Sequence, residues 1–127
     1  MIVKSLNDVI STEFDVDWGN GKSRRFLTLR DGMGYSLTET IVNAGSDSLL
    51  EYKNHLEACY CIEGEGEVRD TTTGAVHQIT PGTMYALDKH EKHHLVAKSD
   101  MKLVCVFNPP LKGTERHNLK DAESSTY

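Results

Sequence analysis

From Arg24 to Asn108 the chain is cut into short β-type runs by turn chemistry, and this spacing constrains the fold more than any other feature. "RRFLTLRD" is followed by "GMG", and "YSLTETIVNAG" alternates and is rich in Thr, Ile and Val. "EACYCIE" runs into "GEGE", then come "VRD" and "TTTG". "AVHQI" ends at "TPG", where proline fixes one dihedral and glycine frees the next. "TMYALDK", "HHLVAK" and "KLVCVFNPP" complete the set. Helical periodicity is confined to "SLNDVI" and to the segment after Pro110. The expectation is an all-β sandwich or closed barrel, with short helical turns at most.

The 127 residues suit one domain over 1–127, in which about 113–127 is polar and poorly patterned, a flexible tail or lid. A net charge of -5 with scattered basic residues argues against a nucleic-acid or anionic-membrane partner. No stretch approaches the roughly 20 apolar residues that span a bilayer. "MIVKSLNDVI" holds no extended apolar segment, so a cytoplasmic location is expected. Cys59, Cys61 and Cys105 are too few and too odd for a disulfide framework. They read as reduced thiols packed in a core. Cys59-x-Cys61 lacks the second pair that a structural zinc site uses.

Strand parity sorts side chains onto faces. Glu57, Cys59 and Cys61 share one face, and Ala58, Tyr60 and Ile62 the other. Leu103 goes with Cys105 and Phe107, Tyr85 with Leu87, and Thr38 with Thr40 and Val42. Should these faces converge, the interior collects a carboxylate, hydroxyls, a phenol and an aromatic wall.

Two segments carry a recognisable spacing. Gly45, Glu51, Lys53, Glu57 and Gly64 stand in the register of the first cupin motif, with Glu51 and Lys53 where histidines are usual. In "PGTMYALDKHEKHH", Tyr85 falls where the second motif normally supplies a histidine. The chain thus resembles a cupin, a double-stranded β-helix (jelly-roll) barrel, without the usual histidine set. Glu57, Tyr85 and His93 remain as candidate metal ligands. Two oxygens and a nitrogen suit Fe(II), Mn(II) or Zn(II), and three protein ligands leave positions open for substrate. The plain alternatives are a paired strand acid, a core tyrosine and a solvated loop histidine.

"NHLEACYCIEGEGEV", "PGTMYALDKHEKHHL" and "VCVFNPPL", with "SRRFLTLRDGMGYSLTETIVNAG" and "MIVKSLNDV", resemble the ectoine synthase family over about positions 1 to 117. The resemblance implies a metal-dependent cyclising hydro-lyase. It converts N-gamma-acetyl-2,4-diaminobutyrate to ectoine and water, in compatible-solute biosynthesis under osmotic stress. It implies Glu57, Tyr85 and His93 as ligands of Fe(II), a Lewis acid here, with other divalent transition metals compatible. It places Arg25, Thr40, Tyr52, Cys105 and Phe107 in the substrate pocket, and Tyr52, Glu115 and His117 as acid–base candidates. Arg25 suits a carboxylate, its alternative being a surface charge beside Arg24. For Thr40, Cys105 and Phe107 the alternative is ordinary strand packing. Tyr52 requires a local bend before Glu57. A homodimer is expected, with an amino-terminal strand covering a neighbour's edge. Two other functions compete: a non-catalytic cupin module binding a small polar ligand, and a cupin oxygenase, which would consume oxygen.

Overall fold

The computed structural model describes residues 1–115, 117–120 and 125–127. The part of the expected tail or lid at Arg116 and at 121–124 lies outside the described residues. Ten strands follow in order: β1 (Asp15–Asp17), β2 (Gly21–Leu27), β3 (Ser36–Val42), β4 (Asp47–Leu50), β5 (Leu56–Glu63), β6 (Gly66–Asp70), β7 (Val76–Ile79), β8 (Met84–Leu87), β9 (His93–Ala97) and β10 (Met101–Asn108). Only two 3-10 turns accompany them among the described residues, at Leu6–Asp8 and Leu29–Asp31. The all-β, jelly-roll expectation is met.

All ladders are antiparallel, in a six-stranded sheet β1-β2-β3-β10-β5-β8 and a four-stranded sheet β4-β9-β6-β7. Alternation makes these sheets two-faced. β10 buries Met101, Leu103, Cys105 and Phe107 and turns the residues between them outward. On β5, Glu57, Cys59 and Cys61 are inside while Tyr60 and Ile62 are exposed. From the facing sheet, Leu50, Val68, Ile79 and Leu95 complete the core.

Glycine sets one critical close approach. Gly66 on β6 lies against β9 so tightly that a Cβ would stand 2.2 Å from the Val96 carbonyl oxygen. That contact seals the sheet where Met101 fills the core. The segment before the first 3-10 turn carries no strand, and Met1 and Val3 are exposed. The amino-terminal strand expected from the sequence is therefore not formed within the chain itself, because its apolar residues find no facing partner there.

Candidate active site inside the barrel

Three neighbouring rows of the six-stranded sheet build the site. Arg25 pairs with Thr38, Thr38 with Cys105, Cys105 with Cys59, and Cys59 with Tyr85, one row across five strands. On one side of it runs Ser36–Phe107–Glu57–Leu87, and on the other Ser23–Thr40–Leu103–Cys61. Residues two apart on a strand share a face, so all three rows look into the barrel. They surround a cavity of about 30 Å³. Thr40, Glu57, Cys59, Tyr85, Cys105 and Phe107 line it, joined by Tyr52, Trp18, His117 and Tyr127.

The loop between β4 and β5 bends at Lys53–Asn54, and this brings in Tyr52 despite its parity. The Tyr52 ring stacks on His93 at 5.9 Å and meets Phe107 edge-on at 5.5 Å. Its hydroxyl stands 3.2 Å from His117 Nε2, while His117 Nδ1 is 3.4 Å from the Ser125 hydroxyl. Burial, with His93 and Arg25 nearby, lowers His117 to about 3, so its ring is neutral at physiological pH. Burial and the Glu57 carboxylate push the Tyr52 phenol well up, which keeps its proton on. A neutral histidine facing a protonated phenol can pass a proton either way.

Arg25 is 1% exposed, so a surface-charge role is excluded. It donates to the Glu115 carbonyl at 3.0 Å and to the Tyr127 hydroxyl at 2.5 Å, and its Nη1 is buried without a partner. Glu115 does not line the cavity. Its carboxylate accepts from the Lys112 and Gly113 backbone N–H groups at 2.8 and 3.0 Å and faces His55 Nε2 at 3.7 Å. His55 is itself tied to the Pro109 carbonyl at 2.7 Å.

Glu57, Tyr85 and His93 each offer a donor of a kind that a divalent cation takes. Glu57 is buried and forms no ion pair among the described residues, and burial raises its carboxyl well above the ordinary range. A bound cation is the usual way such a carboxylate is kept ionised. Burial also raises the Tyr85 phenol, whose ring forms the wall between the cavity and a lateral cleft of about 530 Å³. His93 lines that cleft. It opens β9 and is 1% exposed, which removes it from any solvated loop. Its Nδ1 lies 2.9 Å from the Glu91 carbonyl, leaving Nε2 buried without a partner. That is the arrangement of a ligating imidazole oriented through its other nitrogen. A second group, not expected from the sequence, is Glu57 with Cys59 and Cys105, whose ligand atoms lie within 4.8 Å of one another. His93 is outside that group.

Trp18, Ser23 and Tyr127 are cavity residues that the sequence reading did not place there. Trp18 is folded back by "WGNG", in which Gly19 and Gly21 both have positive φ. Its indole N–H donates to the Ile41 carbonyl, and its ring meets His117 at 6.0 Å. The paired glycines were the available signal.

A family model described as ectoine synthase matches residues 1–126. The L-ectoine synthase of Oceanobacillus iheyensis is 54% identical over 118 residues, which cover 93% of this chain and 92% of that protein. The crystal structure of ectoine synthase from P. lautus matches with a TM-score of 0.85 at 56% identity, covering 89% of this chain and 81% of that one. An RmlC-like cupin from Shewanella frigidimarina, 20% identical, matches with a TM-score of 0.63 over 78% of this chain and 85% of its own, a likeness of fold alone.

Proposed function

The chain belongs to the ectoine synthase family, and on that premise we propose that its barrel cavity closes N-gamma-acetyl-2,4-diaminobutyrate into ectoine with loss of water. The observation that carries this reading is the pairing, in one small cavity, of a buried carboxyl at Glu57, without an ion pair among the described residues, with the neutral Tyr52–His117 couple. A cyclisation of this kind needs a polarised amide carbonyl at one end and a proton carrier at the other.

Arg25 is the anchor for the substrate carboxylate. Its buried, unpartnered Nη1 is a spare donor, and a guanidinium binds a carboxylate through two parallel hydrogen bonds. Glu115 works at one remove, its carbonyl steadying the guanidinium. Phe107 and Cys105 form a wall, and Thr40 offers a hydroxyl. Holding both ends folds the chain so that the α-amine meets the acetyl carbonyl carbon. The amine attacks as the neutral base, a C–N bond forms, and its two hydrogens leave with the carbonyl oxygen as water. Tyr52 and His117, 3.2 Å apart, relay the amine proton to the departing oxygen, the Tyr52 hydroxyl donating as it accepts.

Glu57, Tyr85 and His93 are the residues that would hold the metal; two oxygens and one imidazole suit Fe(II), Mn(II) or Zn(II), and the family membership favours Fe(II) among them. When bound, it supplies Lewis-acid polarisation of the carbonyl without redox change. The acting form is a cytoplasmic homodimer. The free, buried thiols suit a reducing compartment. Tyr60, Ile62 and Val106 make an exposed apolar outer face that a second copy would cover.

The test is anaerobic purification, loading with Fe(II), and NMR detection of product from the acetylated diamino acid. Ectoine formation without oxygen consumption supports the reading. No ectoine, beside an active relative under the same conditions, overturns it.

A further inference from the structure

Cys59 and Cys105 face each other across β5 and β10 with their sulfurs 3.5 Å apart, each 1% exposed. Glu57 and Tyr85 line the same cavity as the two thiols. A tetrahedral ion with two metal–sulfur bonds of about 2.3 Å holds its sulfurs about 3.8 Å apart. The observed spacing is within a few tenths of an ångström of that edge. A carboxylate oxygen in the same group, within 4.8 Å of both sulfurs, supplies a third corner.

We propose that Glu57, Cys59 and Cys105 form a second metal-binding set, selective for thiophilic divalent ions such as Zn²⁺ or Cd²⁺, that overlaps the catalytic set at Glu57. Each thiol gives its proton to solvent as its sulfur–metal bond forms, and no electron is transferred. Glu57 is common to both sets and two dications that close repel each other, so an ion on the sulfurs competes with the ion held by Tyr85 and His93. Soft thiolates favour zinc over Fe(II), and zinc already stands above Fe(II) in the general affinity order. The cavity therefore carries its own route to loading with the wrong metal. The inference shares Glu57 and the wall residue Cys105 with the proposed function and does not depend on the roles given to Tyr85 or His93.

The probe is cadmium chloride titrated into the metal-stripped, reduced protein, read by ultraviolet thiolate-to-cadmium charge-transfer absorption. The expected result is a single Cd²⁺ per chain with that absorption. It should be lost in Cys59→Ser and in Cys105→Ser but kept in Cys61→Ser, which changes a third buried thiol on the same strand face. Circular dichroism checks that the variants fold. In His93→Gln the absorption should persist while Fe(II) content falls, separating the two donor sets. Absence of the band in the unaltered protein overturns the proposal, as does its survival in either site variant or its loss in Cys61→Ser. Loss of the band in His93→Gln would make the two sets one and overturn it as well.

Discussion

The Tyr127 hydroxyl lies 2.5 Å from a guanidinium nitrogen of Arg25, inside the barrel rather than on its surface. Tyr127 is 3% exposed, stacks on His117 at 4.1 Å and stands edge-on to Tyr52 at 5.0 Å. The space left beside it, about 30 Å³, is on the scale of a water molecule and not of an amino acid. A substrate that uses Arg25 must first replace this phenol.

Tyr127→Phe should therefore lower the KM. It removes one hydrogen bond to a charged group, worth about 1.5–3 kcal/mol, so the apparent affinity should tighten by about one to two orders of magnitude. The kcat should change little, because the ring that excludes water remains. Steady-state kinetics checks this. An unchanged KM would mean that the Arg25–Tyr127 contact does not compete with substrate.

Glu57→Gln should stabilise the metal-free protein and abolish stabilisation by metal. Burial raises the Glu57 carboxyl above 4.5. A group raised in the folded state contributes stability that is present below its unfolded value and lost as pH rises through the folded one. Ionising this buried carboxyl in the metal-free protein therefore costs stability as pH rises, a cost the neutral amide does not carry. The expected gain is about 1 kcal/mol, or about 4 °C in Tm, measured with chelator present. Added Fe(II) should raise the Tm of the unaltered protein and leave the variant where it was.

Much of this site was legible because strand parity is a strict rule. Glu57 and Cys59 on β5, and Cys105 and Phe107 on β10, fall inside as alternation requires. Register between strands is a different matter. That Cys59 stands opposite Cys105, and Tyr85 opposite Cys59, depends on turn geometry and packing across strands distant in sequence. Read by spacing, the thiols were core residues, and the tertiary pairing makes them candidate ligands. Trp18 is not marked by any spacing rule, because the left-handed glycines of "GNGK" turn sequence distance into a fold back toward β3. Nothing local marks Tyr127, which is placed by stacking on His117 and by Arg25.

His117→Gln should flatten the acid side of the stability curve. The His117 value falls from 6.5 in the unfolded chain to about 3 in the folded one. Between those values the unfolded state binds the additional proton, so stability is lost as pH falls through that window. The slope is about 1.4 kcal/mol per pH unit at most, which makes about 2 kcal/mol between pH 6.5 and 5. Denaturant melts of both proteins at several pH values give the difference. Parallel curves would count against a buried neutral His117.

Gly21→Ala should be more damaging than its size suggests, and should disturb the active site from the opposite end of β2. At φ +153 a Cβ there would lie 1.8 Å from the Ile41 carbonyl oxygen and 3.2 Å from Trp18 Nε1. That carbonyl is the acceptor for the indole N–H, and Gly21 O accepts from the Trp18 backbone N–H at 3.2 Å. Relief of the clash must move backbone, and with it the tryptophan that walls the cavity beside His117. The cost should exceed about 2 kcal/mol, and Trp18 fluorescence should shift toward that of a solvated indole. Gly32→Ala is the control, because Gly32 has φ +70 but nothing within 4 Å of its Cβ position. Its cost should be that of local strain alone, about 1 kcal/mol, with Trp18 unmoved. Equal losses in the two variants would show that backbone handedness, and not the contact with Ile41 and Trp18, is what Gly21 provides.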